Sequence, residues 1–256
     1  MYGEKMSRVF AELNMPYRAV AVKFCRNRPS GYEQYEGEDM FCGFLKYAQD
    51  TGKSFYIAKE NEKCMGSVIL GFKDMDTNHG SGQVGALMGA FKTPAANARL
   101  YYEAPMLKPG MCNFVVFAPV ETCTFNPDLV VCVCDTHSAW RILHASSYIS
   151  GDPWESKCSY VMSCSWTYVY PYITGKVNHL FTGMHMGLKI KKLYPEGLHI
   201  LSIPYQKLDE IVNALDEMDP LPINFRTDDE SVAREKQLTE YWKSMENDID
   251  IPFEVK

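Results

Sequence analysis

The stretch NFVVFAPVETCTFNPDLVVCVCD, residues 113–135, contains two apolar runs, FVVFAP and LVVCVC, separated by a short polar link. Short runs rich in valine and phenylalanine and bounded by turn residues read as buried β-strands. Asp135 or Thr136 then stands where a helix cap is expected, ahead of HSAWRILHASSYISG (137–151). Upstream, AVAVKF (19–24) and KSFYIA (53–58) read as further strands, the first interrupted only by Lys23. Between them DMFCGFLKYAQDTG (39–52) has helical spacing through Phe41, Leu45 and Ala48, with Gly52 at the terminating position. A short helix is expected from Val9 to Leu13, and another starting at Pro94. SYVMSCSWTYVYPYI (159–173) is β-branched and aromatic and reads as a strand, with a buried helix the alternative. HMGLKIKKL (185–193) and LHILSIP (198–204) also read as strands.

YQKLDEIVNALDEM (205–218) is an amphipathic helix, with Leu208, Ile211, Val212 and Leu215 on one face. The tail repeats this with Leu238, Tyr241, Trp242 and Met245. The expected class is α+β: mixed sheets with packed helices and amphipathic helices at the C-terminal end. One globular domain is expected over residues 1–256, with a weak subdivision near 105–112 and a helical acidic tail over 228–256. The halves echo one another. VAVKF, then FLKYAQDTG, then Cys64 in the first half matches FVVFAP, then ILHASSYISG, then Cys164 in the second.

The composition narrows the function. A net charge of −6 and a pI near 5.6 lack the basic footprint that phosphate backbones require, so no nucleic acid is expected as a partner. No apolar run reaches the roughly 18 residues of a membrane span, and the first residues lack the order of a signal peptide, so a cytoplasmic protein without a membrane partner is expected. The nine cysteines should then be thiols or ligands rather than disulfides.

Several motifs weaken on inspection. GSGQVG (80–85) has dinucleotide-type glycines but follows no strand, and DMDTNH (74–79) lacks the glycine and the closing glutamate of a calcium loop. Cys132 and Cys134 share one strand face among valines, which favours core packing over a metal site. No C-x-x-C pair is present. His185, in GMHMG, could border a pocket. What remains is Cys42 near a helix start, Cys64 in ENEKCMGSVILGF (60–72) and Cys164 after VMS. Thiols near helix starts are good nucleophiles or ligands.

The order AVAVKF, CGFLKYAQDTGKSFYI, EKCMGSVILGF, SCSWTYVYPYITG and HMGLKIKKLYPEGLHILSIPYQKLDEIVNAL resembles domain-of-unknown-function family 169, a group found in archaea and anaerobic bacteria. The resemblance spans residues 16–216. It places the family's cysteines at Cys42, Cys64 (with Gly66 and Gly71) and Cys164, and a basic position at Lys189 where arginine is more usual. It implies no activity.

Three cysteines in such a family lead to one expectation: a [4Fe–4S] cluster held by Cys42, Cys64 and Cys164, in a cytoplasmic enzyme of redox or lyase type. A fourth thiolate, from Cys158 or elsewhere, would make the cluster an electron carrier. Lys23 or Lys189 would hold an anionic substrate, and His185 is the catalytic histidine candidate. A charged lysine in an apolar strand needs a partner or a wet cavity; it can also extend its head to the surface. The expected partners are a small-molecule substrate and a redox partner protein, with a homo-oligomer left open. Two alternatives stand beside this: a metal-free enzyme with Cys64 as nucleophile and a histidine base, and a non-enzymatic ligand-binding module.

Overall fold

The computed structural model describes residues 2–184, 186–218 and 228–245. The chain divides into two units, Met1–Asp216 and Glu217–Lys256. The first opens with α1 (Tyr2–Glu12), β1 (Val20–Cys25), β2 (Glu33–Gln34), α2 (Phe41–Thr51) and β3 (Phe55–Ala58). Three short helices follow, α3 (Gly66–Ile69), α4 (Thr77–Gly80) and α5 (Gln83–Leu87), then α6 (Pro94–Glu103). Next come β4 (Phe114–Pro119), β5 (Leu129–Cys134), α7 (Thr136–Ser147), a π-helical turn (Ser165–Val169) and α8 (Tyr170–Thr174). β6 (Asn178–Phe181), α9 (Met186–Lys191), β7 (His199–Pro204) and α10 (Tyr205–Glu217) complete it. In the second unit the described residues form α11 (Asp229–Met245). The class is α+β, as expected, and residues 105–112 lie inside the first unit.

Seven strands form one mixed sheet in the order β2-β3-β4-β1-β5-β7-β6. Every neighbouring pair is antiparallel except β2 with β3. β1 is central, pairing Val20 with Pro119 on one side and with Val131 on the other. Because side chains alternate, Val20, Val22, Phe117, Val131, Leu180 and Ile200 share one face. They are fully or almost fully buried in a core that includes Phe41, Phe44 and Ala48 of α2 and Tyr168 and Val169 of the π turn. Each such side chain contributes roughly 1.5–3 kcal/mol by leaving water. The opposite face carries Ala21, Val130, Cys132, Cys134 and Leu201 under α7. The Ser138 hydroxyl of α7 donates to the Leu13 carbonyl, and Arg8 of α1 pairs with Asp216 of α10 at 2.8 Å. The echoing strands β1 and β4 are direct neighbours, whereas their helices α2 and α7 cover opposite faces.

Local signals explain most boundaries. The Asp135 carboxylate accepts the Ser138 N–H at 2.8 Å and caps α7, Thr93 caps α6 ahead of Pro94, and Gly52 ends α2 at φ 68°. Two expected strands are helical. Residues 159–173 hold the π turn and α8, because a segment that is apolar on every side can be enclosed as a helix, and Trp166, Tyr168, Val169 and Tyr170 are all buried. In 185–193 the described residues form α9, with Leu188 inward and Lys189 and Ile190 outward, a helical and not an alternating pattern.

Candidate functional site

Cys42, Cys64 and Cys164 come from three separate segments and line one cavity of about 210 Å³. Cys42 is the second residue of α2, Cys64 lies in the turn before α3, and Cys164 immediately precedes the π turn. π-helical turns inside regular helices are frequent at functional sites. α9 closes in on Cys42: a Cβ on Gly187 would sit 3.9 Å from its Sγ. Lys191 of the same helix pairs with Asp39, just ahead of α2.

The segments of Cys42 and Cys64 are held on a buried carboxylate that sequence reasoning did not single out. Glu62 is 6% exposed and accepts N–H groups from Phe41 and Cys64, both at 3.1 Å. The Cys64 thiol donates to its Oε1 at 2.8 Å, and the Gly66 N–H donates to Cys64 Sγ at 3.4 Å. In ENEKC only its position two residues ahead of Cys64, against four for Glu60, sets Glu62 apart.

Burial dominates the electrostatics. It pushes Cys42 up to about 11 and Cys64 up to about 12, the latter aided by the Glu62 charge. Cys164 is raised well above its ordinary value, by burial first and then by Cys64 and Cys42. Glu62 is itself raised by burial, against the hydrogen bonds it accepts. These are protonated thiols unless positive charge enters the cavity, since a coordinating cation deprotonates a thiol outright.

Among the described residues, no three His, Cys, Asp or Glu side chains stand close enough to hold a single metal ion. The chemistry offered on the cavity wall is that of three thiols, the donor type that iron–sulfur clusters take.

The remaining sequence candidates lie elsewhere. The Lys23 ammonium donates to the Asn126 carbonyl at 2.7 Å, and Lys189 pairs with Glu196 at 3.2 Å; neither lines the cavity. His185 lies outside the described residues. Cys158 is exposed and away from the cavity wall, and Cys132 and Cys134 are core residues of β5. His79 and Asn97 line the cavity and were not anticipated. GSGQVG is structural: a Cβ on Gly82 would meet the Pro94 carbonyl oxygen at 1.9 Å, so its glycines let α5 pack against α6.

The fold and this thiol-walled cavity define an α+β protein with a buried three-cysteine site. The chain belongs to domain-of-unknown-function family 169, described as "Uncharacterised ArCR", whose profile matches residues 10–214. It is similar to the uncharacterized protein MJ0308 of Methanocaldococcus jannaschii, with 25% identity over 209 residues, covering 80% of this chain and 88% of that protein. No solved structure matches. No helix among the described residues is long and apolar enough to cross a membrane.

Proposed function

We propose that the chain binds a [4Fe–4S] cluster through Cys42, Cys64 and Cys164 and acts as a cytoplasmic enzyme on a small molecule. The observation that carries this reading is the convergence of three cysteines, from segments 22 and 100 residues apart (64 − 42 and 164 − 64), on one cavity. A three-thiolate cluster leaves one iron open to act as a Lewis acid or to bind substrate. The chain's own part is to exclude water with the methionines around the site, and to aim the Gly66 N–H at the Cys64 sulfur, a contact that tunes such groups. Lys23 and Lys189 do not line this cavity, so in this reading substrate recognition falls to the cavity wall.

Anaerobic reconstitution with iron and sulfide tests this. The expected result is a brown protein with about four irons per chain, lost in a Cys42→Ala/Cys64→Ala/Cys164→Ala variant. Iron uptake no greater than that of the variant overturns it. One observation favours a second reading: the hydrogen bond from Cys64 to Glu62 resembles a nucleophile beside a base, in a metal-free thiol enzyme. A colourless chain whose Cys64 is alkylated selectively and fast would support that reading instead.

A further inference from the structure

The cavity wall opposite in sequence to the cysteines, built by α5 and α6, contains an unmatched polar group. Asn97 is completely buried and lines the cavity. Its Nδ2 donates to the Gly82 carbonyl at 3.2 Å, which fixes the amide's orientation because a carbonyl can only accept. Its Oδ1 is buried with no hydrogen-bond partner. Buried polar atoms are almost always paired, and an orphan acceptor costs about 1–3 kcal/mol. The chain has gone to some length to keep this amide there. Gly85 packs so tightly on it that a Cβ would lie 2.2–2.7 Å from its Nδ2, Cγ and Oδ1 atoms.

The rest of the wall limits what can meet Asn97. Among the described residues it contains no Lys, Arg, Asp or Glu; it is rich in methionine, valine, isoleucine and tyrosine, with Met40, Met65, Met88 and Met162 among them. The lining histidine, His79, is already paired with Asp76 at 2.6 Å, so a charged ligand would be desolvated there without a free counterion. A cavity of about 150 Å³ holds one benzene, so this one, at about 210 Å³, accepts a molecule slightly larger than a single ring.

We propose that this cavity binds a small, uncharged, largely apolar molecule whose N–H or O–H donates to Asn97 Oδ1, the wall at Gly85 shifting to admit it, since that atom is shut off from the cavity space in the unliganded chain. The proposal rests on taking this cavity as the working site, and it names the substrate class there: a neutral hydrogen-bond donor rather than an anion.

Indole and benzothiophene test it, being alike in shape and apolarity while only indole carries a donor. Calorimetry on the full, reduced, metal-free chain should give indole about tenfold tighter binding than benzothiophene, as one buried hydrogen bond supplies. In Asn97→Leu the preference should vanish. A second readout needs no variant, should Asn97→Leu fail to fold. Indole should slow iodoacetamide labelling of Cys42, Cys64 and Cys164 in the wild-type chain, and equimolar benzothiophene should slow it less. Equal affinities, no binding at millimolar indole, binding without protection of the cysteines, or a preference kept in Asn97→Leu would each overturn the proposal. Iron loading is measured separately. A chain that takes up a cluster but does not discriminate the two probes rejects only this inference, and one that discriminates but takes up no iron on reconstitution rejects only the cluster.

Discussion

The thiol of Cys64 donates to the carboxylate of Glu62 across 2.8 Å, and the same carboxylate holds the first N–H of α2 from Phe41. One buried side chain therefore fixes two of the three cysteine-bearing segments. Replacing Glu62 with Gln keeps an acceptor and removes the negative charge that helps keep Cys64 protonated. In the reduced, metal-free chain, alkylation of Cys64 should accelerate, because losing that charge lowers the thiol pKa while burial still holds it up. A slower reaction would identify Glu62 as the base of a metal-free enzyme.

Gly66 has no space for a side chain. A Cβ would sit 2.7 Å from Glu62 Oε1 and 2.9 Å from the Phe41 Cβ. Gly66→Ala should push Glu62 away from the start of α2 and lower stability by about 1–3 kcal/mol, the usual cost of overpacking. Urea unfolding measures this, and an unchanged midpoint would refute it.

Asn178, fully buried in β6, secures the segment that carries Cys164. It accepts the Lys157 N–H at 3.0 Å and donates to the carbonyls of Lys157 and Trp166 at 2.9 and 2.7 Å. At about 1 kcal/mol for each of the three bonds, Asn178→Ala should cost about 3 kcal/mol. It should also lower iron retention after reconstitution, measured against wild type. Full stability together with full iron content would contradict this account of how Cys164 is held.

His179 and His199 face each other across β6 and β7, with Nε2 and Nδ1 2.7 Å apart. Burial first, and then the neighbouring His199, lower His179 from 6.5 to about 4. The folded chain thus binds its proton later than the unfolded chain does. The stabilisation is complete above pH 6.5, declines as pH falls, and is gone near pH 4. Thermal melts of wild type should lose stability across that window, and His179→Phe should lose less. Parallel pH profiles for the two would count against it.

The sequence made the strands near residues 20, 55, 115, 130 and 200 legible, because short valine-rich runs between turn residues have few other uses. The caps at Asp135 and Gly52 were equally plain. Residues 159–173 were harder: their aromatic, β-branched composition suits a strand locally, and only enclosure by other elements makes a helix preferable. Cys42, Cys64 and Cys164 stood out one by one from the residues, and the family resemblance grouped them, since no spacing rule joins cysteines from segments this far apart. Glu62 and Asn97 stayed hidden because their importance comes from being buried, and polar residues give no sign of burial in a linear chain. Lys23 drew attention as a charge inside an apolar strand, yet a nearby carbonyl, that of Asn126, suffices to satisfy it.

The central position of β1 has a consequence for synthesis. Its partner on one side begins at Phe114, 89 residues after the Cys25 it pairs with (114 − 25), and its partner on the other side comes later still. At roughly 5–20 residues per second, this apolar strand waits on the order of 5–20 s with both edges open. A strand in that condition can template association with another chain. The nascent protein thus has a window of vulnerability written into its topology, one that ribosome-associated chaperones would have to cover.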